Sequence, residues 1–482
     1  MDTATAATSE KPLATVPRLG RMEVLFAIAA FAALCAAALS FAPRLVEPDD
    51  AAYQASIVAI TQGHWLSLSA AQANALAQQL GDPGGPIMGA PPGAVSSGGA
   101  VPAVSPLTQW VQLSNGRWIS EKDPGYPFLA APFQALGIIR LAPLFYGALG
   151  CLGLFAGGRR WLGRFGGAAA VGLFCTSGAA LLFARRDYMP TFTDAALIAA
   201  GTGALLWAVL ATEAAARRRT VVGLAGFAGL EAAVFTRYTD IVVLGCAVAA
   251  VAAAWRLRQV PTAALAWWLG SVAVFGTCVA VFDDLVYGGP LTSGYRPGEI
   301  RFSLSAIGPN LRYMPAHLLE AMPVLVLALA AVAWIIARRA RRRRDGGELA
   351  SPARRDLAVG LALAASWFSV WGLYAAYTWT ANGFVSTLQS ARFYVPAIGA
   401  IALLGAWLLT QVPRRPALAA ATSVAVVAAL FGLGLWSFGD MRVNQGPHGV
   451  TVQVQPPPAA SPTAGSSWNA GYCGRRAATF CV

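Results

Sequence analysis

Asp49 and Asp50 are adjacent carboxylates that directly follow an apolar stretch of the chain. A carboxylate in that position can serve as a general base, provided a hydroxyl comes within hydrogen-bonding reach. Its neighbour can orient the acceptor or raise the base's pKa by like-charge repulsion. Adjacent residues rarely point the same way, so only one of the pair is expected to be the base. Asp is also a favoured helix N-cap, and a solvated cap is the competing reading. Arginines supply a second chemistry: Arg185 and Arg186 beside Asp187, Arg237 in Phe235-Thr236-Arg237-Tyr238-Thr239-Asp240, and Arg392 in Ser390-Ala391-Arg392-Phe393-Tyr394. A guanidinium offers paired donors to phosphate oxygens, contacts that strengthen in a dry site. Chance pairing with a neighbouring acid or lipid accounts as well for any single one of them.

These groups must be held by a very apolar chain. Of its 482 residues 56% are hydrophobic and 12% charged, with mean hydropathy +0.55. That excludes an ordinary cytosolic enzyme and a disordered chain. Apolar blocks recur at the length that spans a bilayer as a helix. The expected spans are 22–42, 137–157, 166–184, 192–212, 220–236, 241–255, 264–286, 320–337, 357–377, 394–411 and 417–437. The fold class is therefore an all-α polytopic membrane protein with about eleven transmembrane helices. Arginine-rich turns alternate with the spans, and 21 of the 35 basic residues fall on one side against seven of the 22 acidic ones. By the positive-inside rule that side is cytoplasmic, with the N-terminus inside, the C-terminus outside and both aspartates at the outer membrane edge. The net charge of +13 is then a topology signal and a hold on anionic lipid, and no nucleic-acid partner is expected. Abundant Ala, Gly and Arg with two lysines suggest a high-G+C bacterial genome, hence a bacterial plasma membrane.

The expected division is a cytoplasmic tail at 1–21, a membrane domain at 22–437, and an extracytoplasmic tail at 438–482. The membrane domain includes external loops 43–136 and 283–319, the first with a helix-compatible stretch from Ala51 to Ile60 and a Gly/Pro/Ser-rich stretch from Gly81 to Pro106. Trp110 and Trp118 in this loop are the better candidates for a sugar platform. Cys473 and Cys481 in the tail are a disulfide candidate in an oxidising compartment; the other five cysteines lie in spans. His64, His317 and His448 are scattered and nothing has zinc-ligand spacing, so no cofactor is assigned, with a divalent cation left open.

Four segments share the outer face. They are Glu47-Pro48-Asp49-Asp50-Ala51-Ala52-Tyr53, Glu121-Lys122-Asp123-Pro124-Gly125-Tyr126-Pro127, Tyr287-Gly288-Gly289-Pro290-Leu291-Thr292-Ser293-Gly294-Tyr295, and Ala391-Arg392-Phe393-Tyr394-Val395-Pro396. With Phe235-Thr236-Arg237-Tyr238 their order resembles the GT-C class of membrane glycosyltransferases. The likeness is to the branch of protein O-mannosyltransferases and lipid A aminoarabinose transferases (glycosyltransferase family 39-like), over roughly residues 20 to 410. In that family an acidic residue lies just past the first span, and a Glu-Lys-Pro-Pro-like segment closes the same loop. Here Asp123 replaces the first proline.

The resemblance implies a GT-C fold and a sugar carried on polyprenyl phosphate. It implies inverting transfer to the hydroxyl of an extracytoplasmic acceptor, whether cell-envelope glycan, glycolipid or protein. Asp49, or less readily Asp50, would be the base, with Glu121 also catalytic. Lys122, Arg185, Arg186, Arg237 and Arg392 would bind the donor phosphate, and Tyr53, Tyr126 and Tyr295 the substrates. A polytopic transporter or lipid flippase is the competing class, with Glu231 inside the fifth span as its pathway candidate. A packed structural role is the other reading of Glu231.

Overall fold

The apolar blocks become helices because a chain in hydrocarbon must satisfy every backbone polar group internally. The computed structural model describes residues 20–40, 48–65, 67–82, 84–86, 104–295, 300–344, 351–381, 388–411 and 416–443. Glu47, the centre of the Gly81 to Pro106 stretch, and Cys473 and Cys481 lie outside them.

Helix α1 (Arg21–Leu39) leads to an extramembrane layer. This holds α2 (Pro48–Thr61), α3 (Ala70–Leu80), the short strands β1 (Gly85–Pro86) and β2 (Val104–Ser105), the strands β3 (Trp110–Gln112) and β4 (Trp118–Ser120), and α4 (Gly125–Ala135). Strands β1 and β2 pair antiparallel, as do β3 and β4, the latter with Val111 opposite Ile119. Asp82 closes the base of the stretch before β3 by accepting from the Thr108 hydroxyl at 2.6 Å and its N–H at 3.2 Å. A satellite core of Leu68, Leu76, Leu107, Trp110 and Trp118 sits beneath.

The bundle follows as α5 (Ala142–Leu162), α6 (Gly166–Cys175), α7 (Gly178–Ala184), α8 (Thr191–Leu210), α9 (Ala216–Thr236), α10 (Ile241–Arg256) and α11 (Thr262–Tyr287). It is completed by α12 (Ile307–Ala321), α13 (Leu325–Arg344), α14 (Ser351–Ala375), α15 (Ile398–Gln411) and α16 (Pro416–Val443).

Every apolar segment expected to cross is helical, yet eleven straight crossings do not form. Among the described residues eight helices are long and apolar enough to cross a membrane, or up to ten if each of two bent pairs is one span. The first pair, α6 and α7, bends by 67° because the Ser177 hydroxyl accepts from the Ala180 N–H and starts a new helix. Both halves are wholly buried. The second pair joins the helical turn and α12, Leu304–Ala321, to α13 across a 110° bend, so α12 runs far off the axis of the span it precedes. The last exception, Val395–Gln411, is shorter than a standard span. The chain is a mostly helical, multi-pass membrane protein.

One polar contact ties the bundle on the arginine-rich side and another within the membrane. Glu23 of α1 is buried, accepts from the Gly20 N–H at 3.2 Å and meets Arg159 at 3.1 Å. Within the membrane Glu231 of α9 accepts from the Ser271 hydroxyl of α11 at 3.0 Å. That contact answers the cost of burying a polar group in apolar surroundings, and the geometry matches the packed reading of Glu231.

Candidate active site

Helix α2 opens with Pro48 at its first position, where the missing N–H costs nothing, and with both aspartates in its first turn, where the helix dipole favours negative charge. Successive helical residues are rotated by about 100°, so the two carboxylates diverge. Asp50 turns into the protein and pairs with Arg186, Nη2 to Oδ2 at 2.5 Å and Nε to Oδ1 at 3.3 Å, both side chains fully buried. Asp49 turns toward the loop that ends the extramembrane layer. Its Oδ1 lies 3.1 Å from Lys122 Nζ and its Oδ2 3.1 Å from Arg392 Nη2.

Lys122 is the hub. Its ammonium also lies 3.1 Å from Glu121 Oε1 and donates to the Tyr295 hydroxyl at 3.5 Å, 5.0 Å from the centre of that ring. Burial alone would favour the neutral amine, but Asp49, Tyr295 and Glu121 outweigh it and hold the lysine pKa well above its usual value. Burial pulls the Arg392 guanidinium down to about 10, so it too is charged at neutral pH. That guanidinium packs on the Phe393 and Trp379 rings at 4.8 and 5.9 Å.

Arg237 stands behind Arg392. It donates to the Tyr374 hydroxyl at 2.6 Å and to the Arg392 carbonyl at 3.4 Å, and lies 3.7 Å from the buried Asp194. Tyr374 stacks on Phe393 with centroids 5.2 Å apart. The turn after Arg237 is held to α11 by the Tyr238 hydroxyl, which donates to Asp283 at 2.8 Å. Residues from all five of the sequence motifs therefore meet here.

Two glycines make the close approach possible. A Cβ on Gly125 would sit 2.4 Å from the Phe235 carbonyl carbon, and one on Gly294 would sit 2.5 Å from Glu121 Cα. Any side chain there would push α4 off the end of α9, or Tyr295 off the Glu121-Lys122 turn.

The other expected site residues go elsewhere. Arg186 is taken by Asp50, and Arg185 lies over the Phe438 ring of α16 at 5.6 Å. Tyr126 is wholly buried, donates its hydroxyl to the Asp187 carbonyl, and meets the Tyr53 ring edge-on with centroids 5.9 Å apart. Those contacts pin α4 and α2 to the turn before α8. Trp118 is no platform, because it is packed into the satellite core with Leu68 and Leu76. Among the described residues no group of three or more His, Cys, Asp or Glu has the arrangement of a metal site.

No family model matches this chain, and no curated protein does. Solved structures do resemble it. ArnT from Cupriavidus metallidurans, the lipid A aminoarabinose transferase, bound to undecaprenyl phosphate, matches with TM-score 0.49 and 14% identity over 87% of this chain and 70% of that one. Its apo form matches with TM-score 0.48 and 16% identity, over 84% and 63%. The Archaeoglobus fulgidus oligosaccharyltransferase matches with TM-score 0.48 and 11% identity, over 86% and 56%. In the last two the chain spans less than two thirds of its counterpart. All three are GT-C glycosyltransferases.

The tertiary structure adds groups that sequence patterns pass over. Asp194 and Asp240 are fully buried near Arg237. Asp194 stands in the first turn of α8, where an aspartate reads as a helix end and nothing more. Asp123, where the resembled family has proline, has its carboxyl pushed up to about 7 by burial, against the pull of Arg237 and Lys122. Trp379 and Tyr374 frame the two arginines. Only the departure of Asp123 from a motif gave a signal beforehand.

Proposed function

We propose that this chain is a glycosyltransferase that moves a sugar from a polyprenyl-phosphate donor to a hydroxyl outside the membrane, with inversion. The observation that carries the reading is Asp49, held oxygen by oxygen between Lys122 and Arg392 at the outer end of the bundle. A base, two phosphate-binding cations and a dry wall are the parts that this transfer needs.

The chemistry follows from charge. The acceptor hydroxyl gives its proton to Asp49 while its oxygen attacks the anomeric carbon. The bond from that carbon to the phosphate oxygen breaks, and polyprenyl phosphate leaves with the electron pair. Lys122 and Arg392 meet the charge gathering on the phosphate, a contribution of several kcal/mol in a water-poor site. A phosphate leaves well without protonation, so a single carboxylate suffices as catalyst, and Glu121 keeps Lys122 charged and placed.

In the state described here both cations contact the Asp49 carboxylate. An arriving donor phosphate competes for the same two cations. Asp49 is then released to the acceptor hydroxyl once the leaving group is in place, so donor binding precedes activation of the acceptor. Arg237 positions Arg392 through its carbonyl and the shared aromatic wall. The Asp50–Arg186 pair holds α2 to the α7–α8 turn and is no part of the reaction.

With the N-terminus in the cytoplasm of a bacterium, the single crossing by α1 puts α2 and this site on the extracytoplasmic face. The acceptor is a cell-envelope glycan, glycolipid or protein, and no bound metal is assigned a step. The test is release of free polyprenyl phosphate by purified protein, given a panel of polyprenyl-phosphate sugars and a membrane extract as acceptor. Wild type should release it, while Asp49→Asn and Lys122→Ala should lose at least about a hundredfold yet stay folded. No release from any donor by folded wild type would sink the reading and favour transport.

A further inference from the structure

A shallow cleft lies on the extramembrane layer, lined by the end of α2, the loop after it, the β3–β4 hairpin and Lys122. Trp65 stands at its mouth and is 62% exposed, although its ring is large and apolar. That ring leans on Phe128 with centroids 5.9 Å apart, and Phe128 stacks on Phe235 at 6.2 Å. Trp65 is therefore braced by the wall that carries Arg237.

Polar edges accompany the ring. Ser67, Ser120 and His64 line the same cleft. So does Trp110, itself 3% exposed, whose indole N–H has no acceptor among the described residues. Lys122, which contacts Asp49, is the one charged residue among the described residues lining it. Its cavity volume is about 40 Å³, too little to enclose a sugar ring, so a ligand lies along it as on a shelf.

We propose that this shelf binds a neutral saccharide, the end of the acceptor chain next to the hydroxyl that receives the sugar. The proposal rests on the transferase reading above and narrows its acceptor. A braced aromatic face matches the C–H face of a pyranose, and hydroxyls and ring nitrogens at its edge match sugar hydroxyls. An anionic acceptor lacks a cation of its own here, because the donor phosphate takes Lys122. A polyprenyl chain is excluded by place. Except for Phe282, the lining residues come from the extramembrane layer, beginning with Ser56, which is about 10 Å along α2 from Asp49. Seated there, the chain presents its terminal hydroxyl toward Asp49 past Lys122.

The test is calorimetric titration of the full-length protein in detergent with neutral oligomannosides, oligoarabinosides and oligo-N-acetylglucosamine. A Ser/Thr-rich peptide, polyprenol and polyprenyl phosphate are titrated alongside. At least one neutral oligosaccharide should bind. Trp65→Ala should weaken that binding about tenfold, or ~1.4 kcal/mol, and Trp65→Phe should restore most of it. Neither change should move polyprenyl phosphate affinity by more than about twofold. In turnover the alanine variant should raise acceptor KM rather than lower kcat. Binding of polyprenyl phosphate without any saccharide overturns the shelf and spares the transferase reading. Saccharide binding without polyprenyl phosphate does the reverse. Peptide or polyprenol binding that Trp65→Ala abolishes overturns the saccharide assignment.

Discussion

At the scale of the residue, the two aspartates show how one step along a helix separates two fates. Asp49 meets the cations of the open site, and Asp50 meets a buried guanidinium. Asp50→Asn takes a charged carboxylate away from the buried Arg186 guanidinium, a loss of about 3–5 kcal/mol. Thermal unfolding should show that loss as a large fall in midpoint, whereas Asp49→Asn should unfold near wild type. Equal destabilisation by both would remove the distinction.

Asp123 gives the residue-scale pH dependence. With its carboxyl lifted to about 7, it is neutral below that pH and charged above it. Its charge beside Lys122 repels a donor phosphate. Affinity for the polyprenyl-phosphate sugar, a diester that does not itself titrate there, should weaken as pH rises through about 7. Titrations across that range should show the slope in wild type and its absence in Asp123→Asn. By linkage, the bound donor should push the carboxyl higher still.

At the scale of the element, the site depends on how closely α4 lies against the end of α9. Gly125 is the point of contact, and a methyl group there meets the Phe235 backbone rather than a side chain that can move aside. Gly125→Ala should cost about 1–3 kcal/mol in overpacking. It should also shift Lys122 enough to lower turnover by at least about tenfold, since small misplacements at a reacting centre are costly. Unfolding and turnover measured on the same preparation check both. The broken pair α6 and α7 teaches a related lesson: hydropathy reads 166–184 as one span, but a capping serine at 177 divides it.

At the scale of the whole molecule, the charge pattern predicts the orientation of the bundle and with it the face that holds the site. Cysteine introduced at Arg217, in the arginine-rich turn before α9, should label only after the membrane is permeabilised. Cysteine at Val443, the end of α16, should label in intact cells. That pair of results requires an odd number of crossings between the cytoplasm and the tail. Labelling at position 217 in intact cells would instead place Asp49 and Lys122 on the wrong face for the proposed transfer.

The helical membrane class, the stretches that become helices and the segments worth watching are legible in the sequence by itself; the breaks within two of the expected spans are not. Hydropathy, charge bias and helix-start residues act over one or two turns of chain, so a local reading captures them. Residue-by-residue placement is not local. Lys122, Arg392 and Tyr295 reach Asp49 only because α4, the turn before α15 and the loop after α11 close on α2. The same closure hides Trp118 in a core, leaves Trp65 bare and spends Arg186 on Asp50. Which carboxylate faces the cations is thus decided by tertiary packing, because neighbouring side chains of identical type differ only in what the fold puts opposite them.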